Sequence, residues 1–89
     1  MGYARPQPRY LASKLRKIRM NLGISQQAMA EILHRRKSPV YPGHISEFES
    51  GRREPSLLAL LGYARAAKVT VDILIDDELD LPAQDRRRI

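Results

Sequence analysis

Few residues of this chain have the types and spacing that chemistry needs. There is no cysteine, which removes disulfides, thiolate metal sites and cysteine nucleophiles. His34 and His44 stand at a spacing no metal motif uses, with no thiolate to join them, so no metal is expected. No Ser/His/Asp set occurs in a recognisable setting, and no catalysis is expected. The acidic run Asp76, Asp77, Glu78 and Asp80 lacks the glycine and ligand spacing of a calcium loop. It reads as a solvated tail. Nothing calls for a cofactor. What the sequence does offer is cations in groups: Lys14, Arg16, Lys17 and Arg19, then Arg35, Arg36 and Lys37, then Arg52 and Arg53.

Those cations are unevenly spread over the 89 residues. Residues 1–37 carry nine Lys/Arg against a single acid, Glu31, whereas residues 38–89 carry seven against nine acids. The formal net charge is +6, with 29% of residues charged and 43% hydrophobic, the balance of a globular chain rather than a disordered one. Positive charge concentrated in one half is the footprint of a polyanion binder; the alternative is ordinary solubility charge on helix faces. Charge alone does not separate DNA from RNA or from an anionic membrane surface. With only four Tyr and one Phe, a stacking platform for single strands is disfavoured. No apolar run reaches the ~18–20 residues of a membrane span and no signal-peptide core opens the chain, so a cytoplasmic protein with no membrane partner is expected. At this length a single core is the ceiling.

The elements that must position the cations are helices. Leu11, Leu15, Ile18 and Leu22 form one apolar stripe, with Lys14, Arg16, Lys17 and Arg19 between them and Gly23 placed to end the helix. Ser25 offers a cap for a second helix, from Gln26 to about His34, that turns Met29, Ile32 and Leu33 inward. Residues 35–41 are polar, broken by Pro39, and read as a loop. Pro42 suits the first turn of a third helix that buries Ile45 and Phe48 and stops at Gly51. A fourth helix is expected from Ser56 to Lys68 with Leu57, Leu60, Leu61, Ala64 and Ala67 on one face. Thr70 is placed to cap a short fifth helix containing Val71, Ile73 and Leu74. The reading is an N-terminal arm over residues 1–10, a helical domain over 11–75, and an acidic then basic tail over 76–89.

Three blocks in this order carry a resemblance: Gly23-Ile24-Ser25-Gln26-Gln27-Ala28-Met29-Ala30, Ile45-Ser46-Glu47-Phe48-Glu49-Ser50-Gly51 and Pro55-Ser56-Leu57. Together they resemble the Cro/repressor-like (XRE-type) helix-turn-helix family of bacterial and phage DNA-binding proteins, over roughly residues 11–75. The resemblance implies an all-α, five-helix lambda-repressor-like fold whose second and third helices form the helix-turn-helix. It implies a sequence-specific regulator of transcription, a repressor, that binds double-stranded DNA with the third helix in the major groove. A homodimer is the usual way such a small reader gains site length, and the fourth-to-fifth helix region with Leu79 and Leu81 is its expected surface. The rival reading is an antitoxin-type module that binds a partner toxin and autoregulates its operon. It would be marked by a toxin-like reading frame beside the gene.

The resemblance also distributes roles. Gln26, at a helix start together with Ser25 and Gln27, corresponds to a residue that touches the DNA backbone, while Ser25 alone could be a plain cap. Facing away from the core, Gly43, His44, Ser46, Glu47 and Ser50 look towards DNA, as does Pro42. Arg52 and Arg53 follow the third helix where relatives place phosphate-binding residues; the alternative is a solvated basic turn. Relatives pair the Glu at the position of Glu49 with the Arg at the position of Arg19, which assigns these two to structure rather than to DNA. The segment before the third helix is several residues longer than relatives need, and Pro42 and Gly43 occupy positions that usually read bases without side-chain hydrogen bonds to offer. Glu47, able to accept from cytosine N4, and the loop residues Arg35, Arg36, Lys37 and Tyr41 are the expected substitutes. For Glu47 the alternative is a solvated or helix-stabilising role, and for the loop cations it is favourable charge at a helix end.

Overall fold

The computed structural model describes residues 7–35 and 39–82. Five helices follow one another: α1 (Leu11–Leu22), α2 (Gln26–Arg35), α3 (Pro42–Ser50), α4 (Leu57–Ala67) and α5 (Val71–Ile75). Among the described residues there is no strand, so the fold is all-α. Several boundaries have a local cause. Gly23 ends α1 with φ 72° and Gly51 ends α3 with φ 80°, the left-handed conformation in which a side chain would be strained. Ser25 Oγ accepts from the Ala28 N–H at 3.0 Å, and Ser56 Oγ from the Ala59 N–H at 3.1 Å, each satisfying an orphan donor of the helix it opens. Thr70 stands at the N-cap of α5, but its hydroxyl donates to the Asp72 carboxylate instead of accepting a backbone N–H.

The core gathers one face from every helix. Leu15, Met29, Leu33, Ile45, Tyr63 and Leu74 are fully buried at its centre. Several inward assignments need correction. Leu22 is 40% exposed, because it lines an open cleft with Ile18, Ala66, Val69 and Leu81 rather than meeting a facing helix. On α4, Ala59 and Tyr63, one turn apart, point inward beside Leu60 and Ala64; Leu57 (82% exposed), Leu58 (52%) and Leu61 (36%) are left outside. Ile32 and Ala67 are only partly buried. Val40, in the segment read as polar loop, is a core residue. It pins the chain immediately before α3.

The acidic segment after α5 does not simply trail into solvent. Asp77 accepts the N–H groups of Arg9 (2.8 Å) and Tyr10 (3.1 Å) just ahead of α1, which has no acid in its first turn. These bonds hold the Asp77 carboxyl below its ordinary pKa and bring negative charge to the positive end of α1. Lys14 answers from the other side. Its Nζ donates to the carbonyls of Ile73 (2.7 Å), Asp76 (3.0 Å) and Leu79 (2.6 Å), at and beyond the end of α5, and the residue is only 5% exposed. A cation counted with the surface charge is thus a buried fastening. Leu81 packs against the core beyond it.

Candidate nucleic-acid interface

Three side chains rivet α1, the turn after it and α3 into one unit. Arg19 Nε donates to Glu49 Oε2 at 2.6 Å and its Nη2 to Oε1 at 3.1 Å, a two-pronged pair of the kind only a guanidinium makes. Its third nitrogen, Nη1, donates to the Ile24 carbonyl at 2.9 Å, so the same side chain also fixes the turn between α1 and α2. Both partners are well buried, at 13% and 6% side-chain exposure. Gln26 adds a contact from α2, its Nε2 donating to Glu49 Oε1 at 3.3 Å. Gln26 therefore stands at the start of α2 with its amide turned towards the ion pair, while Ser25 and Gln27 on either side are exposed.

With Ile45 and Phe48 in the core and Glu49 held by Arg19, α3 presents its remaining residues outward. Tyr41, Pro42, Gly43, Ser46 and Ser50 are exposed, and His44 and Glu47 are half-buried. His44 Nδ1 accepts the Tyr41 N–H at 3.2 Å, closing the first turn of α3. Glu47 is met by Arg53 Nε at 2.5 Å, across the turn made by Gly51. That hydrogen-bonded guanidinium holds the Glu47 carboxyl below the usual carboxylate range and offsets its charge. Ser50 Oγ donates to the Glu47 carbonyl and accepts from Arg52 Nε at 3.4 Å. Arg35, Arg52 and Arg53 are exposed. Arg36 and Lys37 lie outside the described residues.

The helix-turn-helix family model matches residues 15–74, more than half of the chain. The chain belongs to the XRE-type helix-turn-helix family. Its α2 and α3 are the helix-turn-helix, and the family and fold are those of DNA-binding regulators. Among solved structures it is similar to the P22 c2 repressor, crystallised in complex with the synthetic operator 9T in the presence of Tl+. The two are 25% identical, the match covers 81% of this chain and 98% of that one, and the TM-score is 0.65. A comparison with curated proteins finds no match.

Against this helix-turn-helix, some contacts were beyond the reach of sequence reasoning. Neither the Glu47–Arg53 pair nor the turn of Gln26 towards Glu49 has a signal in spacing, since both depend on how the chain folds at Gly51 and Ile24. Lys14 does have one: it is three residues after Leu11 and four before Ile18, on the buried stripe itself. Behind the ion pair, the Tyr63 hydroxyl is buried with no hydrogen-bond partner among the described residues, and burial pushes its pKa well above the ordinary value. An unpartnered hydroxyl contributes desolvation cost and little else. Tyr63→Phe should accordingly leave thermal stability unchanged or raise it by up to about 1 kcal/mol. A loss larger than that would reveal a partner for the hydroxyl.

Proposed function

We infer that this helix-turn-helix protein is a sequence-specific double-stranded DNA-binding regulator of transcription, a repressor, with α3 in the major groove. The observation that carries the reading is the likeness, over 81% of this chain, to a repressor crystallised on operator DNA. The geometry supports it. The outer face of α3 is free of core contacts, exposed arginines follow it, and its one carboxylate that faces outward is neutralised by Arg53. Gln26, Ser25, Gln27, Arg35, Arg52 and Arg53 serve as backbone contacts, which position the protein without specifying sequence. His44, Ser46, Glu47 and Ser50 lie at the groove.

The reading assigns no catalysis and places the protein in the cytoplasm with DNA. No helix among the described residues is long and apolar enough to cross a membrane. A homodimer would double the length of DNA read. Leu79 and Leu81 are partly buried within the domain itself, so Leu57, Leu58 and Leu61 on α4 are better placed to meet a second copy.

The test is selection from a random duplex library followed by titration against salt. If four to six phosphates are neutralised per monomer, log K should fall against log salt with a slope of roughly −4 to −5. Arg52→Ala should flatten that slope by about one and weaken all duplexes alike. A salt-independent affinity would sink the reading.

A further inference from the structure

A buried polar atom without a partner is uncommon, because it gives up its bonds to water and receives none in return. Among the described residues the Tyr63 hydroxyl is the one such side-chain atom, on a residue that is 0% exposed. Phenylalanine would fill nearly the same space without that cost. The hydroxyl lies close enough to Glu49 and Arg19 for the charges of both to act on it, yet it bonds to neither. Glu49 has a place for it. An ionised carboxylate offers about four acceptor positions on its two oxygens. Arg19 takes one on each oxygen, at 2.6 and 3.1 Å, and Gln26 Nε2 takes a third, on Oε1, at 3.3 Å.

The Gln26 bond is the longest of the three, and its donor sits half-buried at the start of α2, where a phosphate is attracted. When the Gln26 amide leaves for a phosphate, Glu49 loses a donor while its side chain stays 6% exposed. A buried carboxylate short of a donor is unfavourable, so the loss at Glu49 opposes the contact with DNA. Tyr63 stands on α4 and Gln26 on α2, so the two donors come to Glu49 from different helices. We infer that Tyr63 is a positioning residue for DNA binding: its hydroxyl takes the place of Gln26 on Glu49 when the Gln26 amide turns out to a phosphate. A slight turn of the carboxylate on the Arg19 fork brings the two together. Tyr63 thereby eases the recruitment of Gln26 without itself touching DNA. This rests on the phosphate contact of Gln26 proposed above.

The exchange is tested first without DNA, by a double-mutant cycle of Gln26→Ala and Tyr63→Phe in the full chain, read as melting temperature. With Gln26 present the hydroxyl is idle, so Tyr63→Phe should leave the melting temperature unchanged or raise it. With Gln26→Ala in place the hydroxyl is engaged, and the same substitution should lower it by about 4–8 °C, the value of one such bond in a small domain. A purely structural tyrosine would give the same shift in both backgrounds. On duplex DNA, Tyr63→Phe should weaken the selected site and an unrelated sequence alike, by about five-fold, with the salt slope unchanged. In the Gln26→Ala protein it should cause no further loss. If Tyr63→Phe acts equally in both backgrounds, on melting or on affinity, the exchange does not occur. If the melting cycle is non-additive but no duplex is bound, the reading of a DNA-binding regulator falls, and the positioning role falls with it.

Discussion

Lys14→Met should cost about 3 kcal/mol of folding stability, although it removes one charge from a chain with cations to spare. Methionine nearly matches the volume of the lysine stem, so packing changes little and the loss isolates the ammonium. That group donates to three carbonyls at 2.6–3.0 Å, those of Ile73, Asp76 and Leu79. Bonds to a charged donor are the stronger kind, and the first two carbonyls lie at the negative end of α5. Without Nζ the acceptors must find water or remain unpaired. Lys14→Arg should not restore them, because three acceptors converging on one point suit a compact ammonium better than a planar fork. Chemical denaturation measures the loss, and hydrogen exchange should show residues 76–81 released. A change below about 0.5 kcal/mol would mean that the three bonds are not made in solution.

Arg19→Ala should be at least as damaging, at about 3–5 kcal/mol. Removing the guanidinium strands Glu49, whose side chain is 6% exposed, and leaves Gln26 as its one remaining side-chain partner among the described residues. The Ile24 carbonyl loses its donor at the same time. A domain of this size has total stability of about 5–10 kcal/mol, so the variant should be largely unfolded at moderate temperature. Glu49→Gln is the informative companion. It keeps an acceptor for Arg19 and removes the buried negative charge, so it should cost clearly less than the arginine variant. An unaltered melting temperature for Arg19→Ala would place the arginine in solvent.

The order of helices was legible because their ends carry local signals. Gly23, Ser25, Pro42, Gly51 and Ser56 each act within a few residues of themselves, and each stands at a helix boundary in the structure. What could not be read is phase. The run from Leu57 to Leu61 is apolar at every position, so periodicity cannot say which side is inward; Ala59 and Tyr63 settle it by packing. Lys68 closes α4 in the left-handed conformation with φ 60°, where glycine would be the usual signal. Val40 was hidden in a polar, proline-broken stretch that tertiary burial overrides. At the interface, the ion pair of Arg19 and Glu49 came from likeness to relatives and not from spacing, and the engagement of Glu47 by Arg53 came from neither.

The fastening of Lys14 and Asp77 to opposite ends of the chain bears on the order in which the molecule assembles. The contacts span 59 to 68 residues of sequence, whereas the turn from α1 into α2 is closed by bonds between near neighbours, Gly23 N–H to the Met20 carbonyl and Ile24 N–H to the Arg19 carbonyl. Closing so long a loop first would sacrifice chain entropy with few contacts in return. The bundle must come together before the clasp shuts. Interactions absent from the transition state act on the rate of unfolding rather than of folding. The clasp is therefore a kinetic latch: it governs how long a folded molecule stays folded, and has little part in how fast it gets there.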